Sequence, residues 1–336
     1  WTGLTTARAV ALALDVSRHY ALGWHSTATI GALAAAAAAS RLRRLPRLEV
    51  RHALGVAGSL AAGSRQNFGT MTKPLHAGTA AANGVFAASL AAAGFTADPQ
   101  QLERPLGFLA LHGGRVDERR PADGLAAADP ELNRAALNVK LHPCCYYIHP
   151  AADAALALAA GGPSADDVDS VTVTLQPDAL APLIHHRPQT GLQGKFSLEY
   201  AMAACLLDRR LSLSTFTDEQ VCRPDAQRLI PRVHGETADT PPSGPSRWDG
   251  SFAVVTVRTL DGRELTQRVD RARGHAERPL TEQELRDKFA DCVGFGGFSD
   301  TDGLYPTLRG LRARGSVREV TRGAAAVAER ARAVSA

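Results

Sequence analysis

Alanine-rich stretches with helical spacing constrain this chain more than any other feature. "STATIGALAAAAAASRLRRL" (26–45) and "HAGTAAANGVFAASLAAAG" (76–94) carry little larger than a methyl group over most of their length. Alanine is the best helix former, and small side chains let helix backbones approach closely, so these segments predict a buried helical bundle. "LTTARAVALALDVSRHYAL" (4–22) and "RHALGVAGSLAAG" (51–63) add further apolar residues at helical spacing. Ser26 or Thr27 is the expected N-cap of the first stretch, and the helices at 51–63 and 76–94 are expected to end near their glycines.

A polar segment with proline and glycine, containing "GGRVDERRPADG" between about 112 and 138, separates this texture from another. "DSVTVTLQP" (169–177) and "SFAVVTVRTLDGRELTQRVD" (251–270) alternate apolar and polar residues and are rich in Val and Thr, as strands are. The Asp261-Gly262 pair is a hairpin signal. "PAADAALALAA" and "FSLEYAMAACLLDRR" read as helices between the strands, and "LTEQELRDKFADCV" opens on a capping box at Thr281 and Glu284. The fold class expected is α plus α/β: residues 1–138 and 276–336 form a large all-helical domain, interrupted by a smaller α/β domain at 139–275.

At 336 residues the chain exceeds what one hydrophobic core usually takes, which agrees with that division. Net charge is only +4, from 38 basic against 34 acidic residues. The arginine-rich runs "RLRRLPRLEVRH" and "LRARGSVRE" come without zinc, helix-turn-helix or stacking-aromatic patterns, so they read as solvated helix faces and no nucleic-acid partner is expected. "IGALAAAAAA" is about half the roughly 20 residues a membrane span needs, so no membrane segment is expected. The N-terminus lacks the basic-then-apolar pattern of a signal peptide, and it opens on Trp1 rather than Met, so the natural start is expected to lie upstream. Five cysteines with no C-x-x-C pair fit a reducing cytoplasm, and the high alanine and arginine content fits a GC-rich bacterial genome.

The chemically loaded residues gather at segment edges. "FGTMTKPLHAGTAAANG" (68–84) puts Lys73 and His76 on either side of a proline where a helix begins. A cation there opposes the helix dipole, so local stability does not explain the choice. Similar edges hold His25 in "GWHST", His142, Cys144, Cys145 and His149 in "LHPCCYYIHP", His185, His186 and Arg187 in "IHHRP", and Lys195 and Ser197 in "GKFS". Only four lysines occur, at 73, 140, 195 and 288. Lysine and histidine together suit carboxylate binding and acid/base chemistry. A zinc site among His142, Cys144, Cys145 and His149 is disfavoured because adjacent cysteines point apart on a regular backbone. "GVAGSLAAG" and "GFGGF" lack the spacings of dinucleotide and P-loop motifs, so neither a metal nor an organic cofactor is expected.

"GWHSTATIGALAAAAAASRL", "GTMTKPLHAGTAAANGVFAASLAAAGF", "HPCCYYIHPAADAALAL", "TGLQGKFSLEYAMAACLLD" and "GHAERPLTEQELRDKF" together resemble, in order, the MmgE/PrpD family. That family includes 2-methylcitrate dehydratase, cis-aconitate decarboxylase and iminodisuccinate epimerase. The resemblance implies a helical domain from both chain ends, an inserted α/β lid, an active site in the cleft and a homodimer. It also implies that His25 matches the family histidine after an aromatic residue, and that Lys73 in "TKPLH" matches the family's active-site lysine. In cis-aconitate decarboxylase an active-site histidine lies four residues before the match to His149; that position here is Cys145, a departure from that activity. An upstream Asp-Asp-Thr-His-like segment of the family has no counterpart, which implies a fragment or a catalytically incomplete paralogue.

The resulting expectation is a metal-independent lyase, 2-methylcitrate dehydratase-like, acting on a small di- or tricarboxylic acid. The expected catalytic groups are His25, Lys73 and Cys145, with His76, His149, Arg187, Lys195 and Ser197 as substrate binders. Epimerisation by alpha-proton transfer, with Cys145 opposite His25, is the alternative on the same scaffold, and a non-enzymatic binding module is the alternative outside it.

Overall fold

The computed structural model describes residues 2–113, 137–298 and 303–310, together with Arg318, Thr321, Arg322 and Ala325. Most of the expected polar segment at 112–138 and most of the run "LRARGSVRE" lie outside the described residues. The chain divides into two compact units, Trp1–Leu137 and Asn138–Ala336.

The first unit holds α1 (Thr2–Ala13), α2 (Val16–Ala21), α3 (Ser26–Leu42), α4 (Arg47–Leu60), α5 (Thr72–Ala92) and α6 (Phe108–Gly113). The alanine stretch α3 sits at its centre, packed on α1, α4 and α5. Ile30, Ala32, Leu33 and Ala36 of α3 meet Val10, Ala57, Ala80, Ala87 and Phe108 in one core. The small residues are what allow it: a Cβ on Gly84 of α5 would lie 2.4 Å from Ala35 Cβ and 2.5 Å from the Ala36 amide nitrogen of α3. A separate cluster of Ala39, Ala53, Ala88 and Ala91 extends this methyl-against-backbone packing.

Three local expectations are corrected here. The stretch 4–22 is two helices, because Asp15 takes an extended backbone and its carboxylate accepts the Arg18 N–H at 3.0 Å, starting α2 afresh. The N-cap of α3 is His25, with an extended backbone and no side-chain capping bond, in place of Ser26 or Thr27. Helix α5 begins at Thr72, which places Lys73, Pro74 and His76 inside its first turns; proline is tolerated there since its missing N–H has no intrahelical partner to lose.

The second unit is built on four strands, β1 (Val168–Leu175), β2 (Val233–Thr237), β3 (Ala253–Thr259) and β4 (Glu264–Val269), in the order β2-β1-β3-β4. β1 pairs in parallel with β2 and antiparallel with β3, Val171 facing Val233 on one side and Val257 on the other. The expected hairpin is β3–β4, with Gly262 at φ +88° in its turn. Helices α7 (His149–Gly161) and α8 (Leu198–Asp208) pack on each other, α7 also on β3 and β4 and α8 on β2, and bury Ala151, Ala155, Tyr200, Met202 and Val173. Tyr200 donates its hydroxyl to the Thr215 carbonyl at 2.5 Å. β2 escapes the alternation argument, since only Val233 of its five residues is buried.

Helix α9 (Glu282–Phe295) opens on the expected capping box: Thr281 N–H donates to Glu284 Oε2 at 2.9 Å and Glu284 N–H to Thr281 Oγ1 at 3.2 Å. Asp291 on this helix accepts the Leu213 N–H at 3.0 Å, and Glu284 pairs with Arg273 at 3.3 Å, both within the second unit. Among the described residues no helix is long and apolar enough to cross a membrane.

The α3–α5 approach leaves no room for a side chain at Gly84. Gly84→Val is expected to lower unfolding stability by about 1–3 kcal/mol or more, the usual cost of overpacking, measurable as a lower denaturant midpoint with an unchanged slope.

Candidate functional site

In the first unit the sequence places two histidines and a lysine where helices begin, and folding brings them together. His25, at the start of α3, and His76, in the second turn of α5, face each other with Nδ1 atoms 3.0 Å apart. Both are largely buried, at 7% and 9% exposure. The Phe68 ring stands edge-on to His25 at 5.0 Å. The His25 N–H donates to the Gly63 carbonyl at 3.0 Å. Gly63 has φ +152°, and a Cβ there would sit 2.5 Å from Ala28 Cβ and 3.4 Å from the His76 ring, so only glycine fits this turn.

Burial first, then the charges of Lys73, His76 and Arg65, bring His25 down to about 4. Burial and Lys73 also lower His76. Both imidazoles are therefore neutral at physiological pH. One of the facing Nδ1 atoms must donate while the other accepts, so the pair cannot carry a proton on both of these nitrogens. The result is a base pair beside fixed positive charge at the positive end of a 21-residue helix.

Behind His25 lies a cluster that sequence reasoning missed. Fully buried His19 donates Nδ1–H to the His112 carbonyl at 2.7 Å, and its Nε2 lies 3.0 Å from Thr29 Oγ1, one helical turn after His25. The Trp24 ring lies tilted against His112, their centroids 4.6 Å apart. Arg65, also not singled out, lies 3.5 Å above the Tyr20 ring and donates to the Tyr20 carbonyl at 2.5 Å.

In the second unit the Cys145 N–H donates to the Lys195 carbonyl at 2.9 Å, so these two expected site residues are neighbours. Burial lowers the half-buried Lys195 ammonium, with Cys144 opposing the shift. Burial pushes the enclosed Cys144 thiol up, which keeps it protonated. Ser197 is fully buried as the N-cap of α8, its hydroxyl oxygen accepting the Tyr200 N–H at 3.1 Å and its proton reaching Glu199 at 3.2 Å. Glu199 also holds exposed His186 at 2.7 Å. Arg187 is exposed in the following loop.

His149 opens α7 and is fully enclosed, its ring centroid 5.2 Å from His142 and 5.0 Å from Tyr146. Burial, with His142 and Lys140 adding to it, brings His149 down to about 3. Next to it, buried Asp153 accepts from His142 Nε2 at 3.0 Å, from the Arg273 N–H at 2.6 Å and from Arg273 Nε at 3.0 Å. Burial alone would raise this carboxyl, but these bonds outweigh it and bring it to about 2. Asp153 was legible as the sole carboxylate in an otherwise apolar helix, a placement that a buried partner explains. Among the described residues no group of three His, Cys, Asp or Glu side chains is placed to hold a metal ion.

The MmgE/PrpD N-terminal domain matches residues 2–119, and the MmgE/PrpD C-terminal domain matches residues 142–300. The cis-aconitate decarboxylase of Mus musculus is 30% identical over 273 residues, 79% of this chain and 54% of the mouse protein. That of Homo sapiens is 29% identical over 276 residues, covering 79% and 55%. That of Aspergillus terreus (strain NIH 2624 / FGSC A1156) is 27% identical over 294 residues, covering 81% and 58%. The chain belongs to the MmgE/PrpD family. It spans about half the length of the curated relatives it matches.

Two outcomes follow from the electrostatics. Lys73→Met removes a charge that lowers both imidazoles, so His25 and His76 are expected to titrate at higher pH in two-dimensional NMR. For stability, His25 titrates near 4 when folded against 6.5 in the unperturbed state. Between those values the unfolded chain binds more protons, so denaturant midpoints are expected to fall as pH drops through this window and to level off above it. Asp153 acts below it, its contribution being lost between 3.8 and about 2.

Proposed function

We propose that the protein serves a lyase reaction on a small polycarboxylate, with decarboxylation of a cis-aconitate-like substrate as the first reading. The observation that carries it is the His25–His76 contact at 3.0 Å beside Lys73. Two neutral imidazoles next to fixed cations form a site for an anion that brings a proton with it. A bound carboxylate offsets the Lys73 charge, raises the imidazoles and lets the pair take up one proton. In decarboxylation the bond to the departing carboxyl carbon breaks, and its electron pair enters the conjugated system as enolate-like charge, which Lys73 stabilises. The pair then returns its proton to the carbon as carbon dioxide leaves.

The relatives named as cis-aconitate decarboxylases move this reaction ahead of the 2-methylcitrate dehydratase expected from sequence. Dehydration stays as the second reading because Cys145 stands where the family resemblance calls for a decarboxylase histidine. In it the same pair removes the alpha proton and an acid protonates the leaving hydroxyl. The proposal includes a site that works without metal, a homodimer acting in the cytoplasm, residues 139–275 as a lid and residues 276–336 as part of the helical domain.

The test is an NMR assay in heavy water with cis-aconitate, 2-methylcitrate, citrate and iminodisuccinate, applied to this chain and to any longer native form. Loss of carbon dioxide supports the first reading and loss of water the second. Label uptake with neither loss indicates epimerisation, and no turnover or exchange in either form removes the enzymatic reading for these substrates. Lys73→Ala is expected to lower turnover by about a hundredfold or more while leaving thermal unfolding unchanged. Retained turnover would take Lys73 out of the mechanism.

A further inference from the structure

The second unit gathers buried polar atoms of three ring side chains in one place. His142 Nδ1, the Tyr146 hydroxyl and the His149 ring nitrogens are buried without a well-formed hydrogen bond among the described residues, although the Cys144 backbone interacts with the His149 ring. They belong to three side chains in ring contact, His149 lying 5.2 Å from His142 and 5.0 Å from Tyr146. A buried polar atom left unpaired costs about 1–3 kcal/mol, so a cluster of them on three touching side chains calls for a shared partner.

The surrounding charges select that guest. Asp153 is ionised and bonded to the far side of His142, which disfavours an anion such as a substrate carboxylate. Arg273 and Arg278 lie 3.0 and 3.6 Å from Asp153, which disfavours a cation. His142 directs Nε2–H to Asp153, so in the neutral imidazole form Nδ1 presents a lone pair. Neutral His149, with the Cys144 backbone near its ring, has a nitrogen left to offer, and the Tyr146 hydroxyl can donate or accept. A neutral molecule that both donates and accepts satisfies this set.

We propose that His142, Tyr146 and His149 enclose an ordered water molecule, oriented by Asp153 through His142. The water donates to His142 Nδ1 and accepts from Tyr146 Oη–H or a His149 N–H. It makes His149 part of an internal hydrogen-bonded network rather than a direct contact for substrate. Asp153 and His142 are positioning residues in this network. The inference does not depend on the reaction proposed above, and its test needs no turnover.

A crystal structure of the protein is expected to show a water oxygen within about 3.2 Å of His142 Nδ1 and of at least one of Tyr146 Oη and the His149 nitrogens. In solution, water-selective NOE spectra of histidine-labelled protein are expected to show a long-lived water near His142 Hε1 and the Tyr146 ring. Tyr146→Phe deletes only the hydroxyl and is expected to weaken that cross-peak while the His142–Asp153 bond persists. His142→Phe is expected to abolish the water. An empty position with the rings bonded directly to protein groups, or a folded wild type without the cross-peak, would overturn the proposal. A carboxylate or metal ion bound there instead would overturn it equally.

Discussion

The close approach of α3 and α5 is the constraint on which the first unit depends. Backbone meets methyl group where Gly84 faces Ala35 and Ala36, and any larger side chain forces the helices apart. His25 starts one of these helices and His76 lies in the second turn of the other, so their 3.0 Å contact is set by the packing of the pair. Gly63 completes the arrangement by turning the chain where no Cβ fits, with its carbonyl on the His25 amide. The alanine content that first read as a folding feature is therefore also what gives the site its geometry.

Electrostatics then converts that geometry into chemistry. A buried imidazole beside a lysine is held neutral because charging it means losing water and gaining a repulsive neighbour. Lys73 does not serve the helix; it opposes the dipole and adds to its positive end, which favours an anion arriving from outside. The second unit uses the opposite device. Asp153, buried and bonded to His142 and Arg273, keeps its charge because hydrogen bonds replace the lost water. Around it His142 is oriented by its bond to Asp153, and burial lowers His149.

Both family domains match, and they meet this chain on either side of the boundary between its two compact units. The relatives are named cis-aconitate decarboxylases, while the imidazole pair and Lys73 form a positively polarised pocket edge of the kind that suits an anion. Cys145 remains the residue at which the two lines part.

Sequence alone determined what local physics decides. Helical spacing marked α3, α4 and α5, alternation marked β1 and the β3–β4 hairpin, and the Thr281–Glu284 box marked the start of α9, because each depends on residues within a few positions of one another. It also singled out His25, Lys73 and His76, since charge at a helix start is visible in one dimension. It did not place β2, whose exposed residues carry no alternation, or the break at Asp15, where one side-chain bond overrides helical periodicity. Nor could it tell that Ser197 is spent on capping α8 or that His149 is wholly enclosed. Only tertiary structure decided that His25 meets His76 across 51 positions and that Asp153 meets Arg273 across 120. Contacts of that span are set by how whole helices and sheets pack, and no short stretch of sequence contains that information.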